Sequence, residues 1–137
     1  MSRARLWFSR AVMVYGAVVF GALGFLYMAK PLAGISQFGI SVSGEPHSVT
    51  FLRTSLGALF TAQALIAIYG LARPRYLRTC LIFLVLVNGC IVVARLVGIV
   101  VDGWTPLQLS ELQTEGFSWL AFVAALVALP PQGDQNL

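Results

Sequence analysis

Residues 11–29 contain no charged side chain, and that run limits what the chain can become. At 1.5 Å of rise per residue such a run forms a helix about 29 Å long, close to the ~30 Å hydrocarbon core of a bilayer. Two further runs are comparable: 54–72, with Arg53 at its edge, and 80–101, with Asn88 and Arg95 inside it. A fourth, 117–129, reaches only about 20 Å. It crosses a membrane only if its helix starts near Leu107, which draws Glu111 and Glu115 to or below the surface; the alternative is a short re-entrant or interfacial segment. Composition agrees with lipid as the solvent. Apolar residues make up 58% of the 137 and charged residues 10%, against about 25% charged in soluble domains. The expected fold is therefore all-α: an integral membrane four-helix bundle forming a single transmembrane domain over residues 1–137, with spans at about 8–29, 50–72, 79–101 and 108–129.

Arg3, Arg5 and Arg10 precede the first run and give it the look of a signal peptide. Its length exceeds the roughly 7–15 apolar residues of a signal core, so it reads as the first span. Basic residues set the orientation. Arg3, Arg5, Arg10, Arg73, Arg75 and Arg78 fall on one side, Lys30 and Arg53 on the other, and the loop between the third and fourth runs has none. Both termini and the 73–78 loop are expected to be cytoplasmic. Trp7, Phe8, Tyr69 and Tyr76 suit the inner interface, and Tyr27, Phe51 and Trp104 the outer one. The net charge of +4 does not point to nucleic acid, because the arginines sit in short clusters flanking apolar runs.

The connections are also legible. Pro31 ends the first helix, since proline cannot continue one. Residues 34–46, with three glycines and Pro46, read as an irregular outer loop. Arg73-Pro74-Arg75 makes a short inner turn, and Asp102-Gly103 with Thr105-Pro106 an outer one. Ser110 before Glu111 is a weakly marked start for the fourth helix, and Pro130-Pro131 stops it. Ala17, Gly21 and Gly24 on the first helix, and Gly57, Ala58, Thr61 and Ala62 on the second, are small residues suited to close helix packing. Gln63 and Asn88 are mid-membrane amides expected to bond between helices.

Soluble-enzyme signatures are absent from the sequence. Cys80 and Cys90, ten residues apart on one helix, lie about 15 Å from each other and cannot form a disulfide; both read as buried apolar thiols. One histidine, His47, supplies neither a bis-histidine haem nor a multi-histidine zinc site. No cofactor, no metal site and no catalytic residue is expected, and the chain leans away from being an enzyme. The informative residues are the charges in or beside the spans, which ordinarily face a bundle interior or a wet cavity. Asn88, Arg95 and Asp102 recur every seven residues along one stripe, and Gln108, Glu111, Glu115 and Ser118 form another. The expectation is an outward-facing polar pocket lined by Arg53, Arg95, Glu111 and Glu115, with Tyr27 at its rim and Lys30, His47 and Asp102 just above. Three readings stand side by side: a structural ion-pair cluster, a site for a polar or anionic head group, and a proton-handling role for Glu115. Two nearby arginines argue against the last, because they favour the charged carboxylate.

Several short stretches carry a family resemblance when taken in order. They are Gly21-Ala22-Leu23-Gly24-Phe25-Leu26-Tyr27 with Pro31, then Phe38-Gly39-Ile40-Ser41-Val42-Ser43-Gly44 leading to Phe51-Leu52-Arg53. Arg73-Pro74-Arg75-Tyr76, Ala94-Arg95-Leu96 with Asp102-Gly103, and a glutamate opening the last helix complete the set. Together they resemble an uncharacterised family of small bacterial four-helix membrane proteins, the domain of unknown function 4345. The resemblance implies a four-span bundle of the bacterial inner (plasma) membrane and brings no activity, substrate or site residue with it. The architecture is more distantly similar to small membrane scaffolds of lipid-modifying enzymes and to the DoxX-like group, a likeness of fold alone. The expected role is an accessory or scaffold subunit of a larger membrane system. The alternatives are a binder of a lipid- or quinone-type ligand and a small oligomeric transporter. Expected partners are membrane lipids and either a larger membrane protein or further copies of the chain, with no nucleic acid.

Overall fold

A computed structural model describes residues 3–130, which are helices and their connections with no strand among them. In chain order these are α1 (Arg3–Ala29), α2 (Pro31–Ser36), α3 (Pro46–Leu52), a π-helical turn (Arg53–Gly57), α4 (Ala58–Ala72), a 3-10 turn (Pro74–Tyr76), α5 (Leu77–Asp102) and α6 (Pro106–Ala128). Three helical runs, Arg3–Ala29, Pro46–Ala72 and Pro74–Asp102, are long and apolar enough to cross a membrane. The helices begin several residues before the apolar runs do, because hydrogen bonding continues into polar sequence where hydrocarbon would end. The expected stop at Pro130-Pro131 is described only as far as Pro130; residues 131–137 lie outside the described residues.

Two boundaries differ from the sequence reading. Part of the expected irregular loop is helical: Pro31 occupies the first turn of α2, where its fixed φ fits and its missing N–H is not needed. Gly39, at a φ of 68°, then turns the chain. α6 starts at Pro106, four residues before the cap expected at Ser110 and beside Leu107, where a spanning helix is expected to begin. Thr105 is its N-cap, with Pro106 in the first turn. The Gln108 N–H donates to Thr105 Oγ1 at 3.2 Å, and the Thr105 N–H donates to Gln108 Oε1 at 2.8 Å. This reciprocal box satisfies two donors that a helix start otherwise leaves open. It makes α6 a helix of 23 residues, about 35 Å long.

The described residues divide into two compact units, one of residues 3–13 with 69–130, the other of residues 14–68. In the second, α1 and α4 approach closely at small residues. A Cβ placed on Gly24 would lie 2.7 Å from Thr61 Oγ1 and 2.9 Å from the Thr61 backbone nitrogen, so only glycine fits there. Phe60 stacks on both Phe20 and Tyr27. Tyr27, Ile35 and Leu52 form the centre of a small core, with Leu23, Phe38, Val42, Leu56 and Phe60 around it. The π turn between α3 and α4 has a local cause. Thr54 Oγ1 donates to the carbonyls of Thr50 and Phe51, and Ser55 Oγ donates to that of Phe51, competing with the regular ladder. Gly57 leaves the turn room beside Met28, whose sulfur would lie 2.8 Å from a Cβ at that position.

The first unit is built on the antiparallel pair α5 and α6. Met13, Leu81, Leu84, Phe122 and Ala125 are fully buried in it. The Trp119 indole N–H donates to the Val85 carbonyl at 3.2 Å, over Gly89. Gly70 leaves space for Met13 and Cys80. Cys80 is buried, but Cys90 is exposed, which corrects the expectation of two buried thiols: ten residues of helix turn the second sulfur onto the outer face of α5. That face and the outer face of α6 are apolar, with Leu86, Val93, Val97, Val100, Leu120 and Val127 all strongly exposed.

Candidate functional site

Glu111 and Glu115 stand one turn apart on α6 and so share a face. Both reach the same residue of α5. Arg95 Nη1 lies 2.6 Å from Glu111 Oε2. Arg95 Nη2 donates to Glu115 Oε1 at 2.6 Å and Nε donates to Glu115 Oε2 at 3.1 Å, a two-pronged pair. All three guanidinium nitrogens are therefore engaged. The side chains are 28%, 13% and 27% exposed for Arg95, Glu111 and Glu115, shielded enough for the pairs to be screened less than surface ones. One guanidinium faces two carboxylates, so the cluster has no spare positive charge to offer an anionic group.

A second arginine closes the opposite end of the same helix pair. Arg78 Nη1 donates to the carbonyls of Leu129 at 2.8 Å, Pro130 at 3.2 Å and Leu126 at 3.3 Å. These belong to the end of α6, where a helix leaves carbonyls unpaired and its dipole favours a cation. Ser9 Oγ adds a bond to the Ala125 carbonyl at 2.8 Å. The α5–α6 pair is thus pinned by Arg78 at one end and Arg95 at the other. Residues 79–94 between them carry no charge and span about 24 Å.

In the other unit Arg53 performs a similar task. It opens the π turn, and its Nε donates to the Met28 carbonyl at 3.0 Å, one of the last four of α1. Arginine suits all three places because its planar fork holds several donors in fixed directions.

Of the residues expected at a site, Arg95, Glu111 and Glu115 meet in one cluster. Arg53 is exposed and bonded to the end of α1. Tyr27 is 2% exposed, stacked on Phe60 and closely backed by Gly34. Asp102 is the exposed last residue of α5; Lys30 and His47 are exposed at the starts of α2 and α3. Asn88 Nδ2 donates within its own helix, to the Leu84 carbonyl at 2.8 Å. Among the described residues no group of three or more His, Cys, Asp or Glu is placed to hold a metal ion. The capping role of Arg78 was not read from the sequence, although a helix ending at a proline pair signals carbonyls in need of donors.

The family described as "Domain of unknown function (DUF4345)" matches residues 8–112. No curated protein and no solved structure matches the chain.

Proposed function

Since the chain belongs to DUF4345, a family of unknown function, we propose that it is a small four-span protein of the bacterial inner membrane whose intramembrane charges serve its own architecture, and that it acts as an accessory or scaffold subunit of a larger membrane system. The observation that carries this reading is the full engagement of Arg95 by Glu111 and Glu115. A site meant for an anionic head group keeps donors available, whereas this one spends them on a neighbouring helix. The same pairing supports α6 as the fourth span. Its 23 residues are long enough, and its two glutamates enter with their charge answered. The distribution of basic residues, six against two, supports cytoplasmic termini.

Extraction in native lipid discs, followed by mass spectrometry of whatever co-elutes, tests the role. A larger membrane protein recovered in fixed stoichiometry is the expected result. Self-association with one enriched quinone or lipid, and no larger partner, refutes the scaffold reading in favour of a ligand binder.

A further inference from the structure

The two faces of α6 are unequally used. Ser118, Phe122, Ala125 and Leu129 are buried within the first unit, and Glu111 and Glu115 reach Arg95. About 140° around the axis runs a second stripe: Ser110, Gln113, Phe117, Leu120, Ala124 and Val127, all exposed. The intervals between them are 3, 4, 3, 4 and 3 residues. That is the a/d pattern of a helix that meets another helix along its length. Alternate members repeat every seven residues, so on a straight helix the stripe drifts by about 20° per heptad and closes on a partner wound round it left-handedly.

Lipid is an adequate cover for Phe117 to Val127. Gln113 changes the argument. It stands between Glu111 and Glu115 in the chain, within about 3 Å of the level of the Arg95 cluster, yet it lies on the outward face. Its amide makes no side-chain hydrogen bond among the described residues. Thr114, beside it, meets its own need within the helix by donating to the Ser110 carbonyl at 3.0 Å. Hydrocarbon offers an amide neither donor nor acceptor, so a glutamine in a lipid-facing stripe calls for a partner that lipid does not supply.

We propose that this stripe is a dimer seam, closed by the same stripe of a second copy of the chain, with Gln113 bonded to its counterpart across a two-fold axis. The inference rests on the reading that α6 spans the membrane. Copies inserted the same way present the same residue at the same depth, so α6 meets α6 in parallel and Gln113 meets Gln113. A primary amide carries both donors and an acceptor and is its own complement; a carboxylate or a guanidinium there would repel its copy. None of the six seam residues is charged, and the charges of Arg95, Glu111 and Glu115 are answered within the chain. An isolated amide in a mostly apolar seam also fixes register, since a slip along the helix leaves both amides unpaired.

Cys90 is exposed and Cys80 buried, so the native thiol of Cys90 takes a donor or an acceptor dye without substitution. Full-length chains labelled in this way are mixed in phosphatidylglycerol–phosphatidylcholine vesicles over a range of protein-to-lipid ratios. Energy transfer should exceed the level of chance encounter and depend linearly on acceptor fraction, the mark of a dimer. Gln113→Leu should weaken the dimer about tenfold, the value of two reciprocal amide bonds between membrane helices. Ala124→Trp puts bulk into the middle of the seam and should abolish transfer, while Val100→Trp, of equal bulk on the exposed face of α5, should leave it unchanged. Helix content by circular dichroism should be the same in all three variants, because each changes an exposed side chain. Transfer at chance level in the wild type, transfer unmoved by both α6 substitutions, or equal loss with Val100→Trp overturns the proposal. So does a wild-type chain that stays single in the vesicles and holds a larger membrane protein through Gln113 in native lipid discs. Labelling of Trp104→Cys and Pro130→Cys with an impermeant maleimide separates the premise from the inference. Reaction from one side of the membrane removes the spanning reading and the seam together; reaction from opposite sides with transfer at chance level removes the seam alone.

Discussion

Replacing Arg95 with glutamine should damage the protein far more than replacing either of its partners. The geometry supplies the asymmetry. Arg95→Gln leaves two carboxylates facing each other in a three-quarters-buried site with no cation between them. Breaking a buried pair by removing one member costs about 3–5 kcal/mol. The residual exposure of the cluster places this substitution near the lower end, about 3 kcal/mol. Glu111→Gln removes one contact and leaves the two-pronged Arg95–Glu115 pair intact, so about 1 kcal/mol is expected. Exchanging the residues, Arg95→Glu with Glu115→Arg, should restore much of the lost stability, because the partner charges are again opposite. Reversible unfolding in mixed micelles, followed by circular dichroism, gives the three values and their coupling. An Arg95→Gln variant within about 0.5 kcal/mol of wild type refutes the clamp, since that is the range of an unremarkable surface change.

Other substitutions probe the remaining contacts. Arg78→Gln withdraws the donor shared by Leu126, Leu129 and Pro130; amide exchange in the last turn of α6 should rise severalfold while the Trp119 region stays protected. Gly24→Ala forces a Cβ to within 3 Å of Thr61 backbone and should cost about 1–3 kcal/mol by overpacking, whereas Gly116→Ala, with nothing within 4 Å, should be neutral or slightly stabilising in the same unfolding assay. Thr105→Ala removes the capping box and should lower stability by about 1 kcal/mol, with Ser110→Ala much smaller. Single cysteines placed at Arg73 and Trp104 should react with a membrane-impermeant maleimide from opposite sides; labelling from one side refutes the four-span topology.

Length and hydropathy were enough to read three of the long helices, because a run such as 11–29 has no other stable use than burial in an apolar medium. The meeting of Arg95 with Glu111 and Glu115 was also within reach. Glutamates at a four-residue spacing face one way, and an arginine in an apolar run needs an opposite charge. Capping was read less well. Thr105-Pro106-Leu107-Gln108 contains a full helix-start signature, yet the glutamates drew attention to Ser110 instead. The π turn at Arg53–Gly57 had no periodic trace, since it depends on hydroxyls competing for carbonyls and on the space that Gly57 leaves beside Met28. The engagement of Arg53 by the end of α1 was hidden for the same reason: a backbone carbonyl has no letter in the sequence.

The two arginines that pin α5 to α6 also act as a ruler. A cationic side chain near a membrane surface normally adjusts to bilayer thickness by stretching toward water. Arg78 is tied to three carbonyls and Arg95 to two carboxylates, so neither is free to do so. The uncharged stretch between them is about 24 Å, shorter than a ~30 Å core, and tilting shortens it further. If the pair spans a bilayer as proposed, the depth of Arg95 and its two glutamates is fixed about 24 Å from Arg78, and a change in bilayer thickness has to be met by the lipid rather than by these side chains.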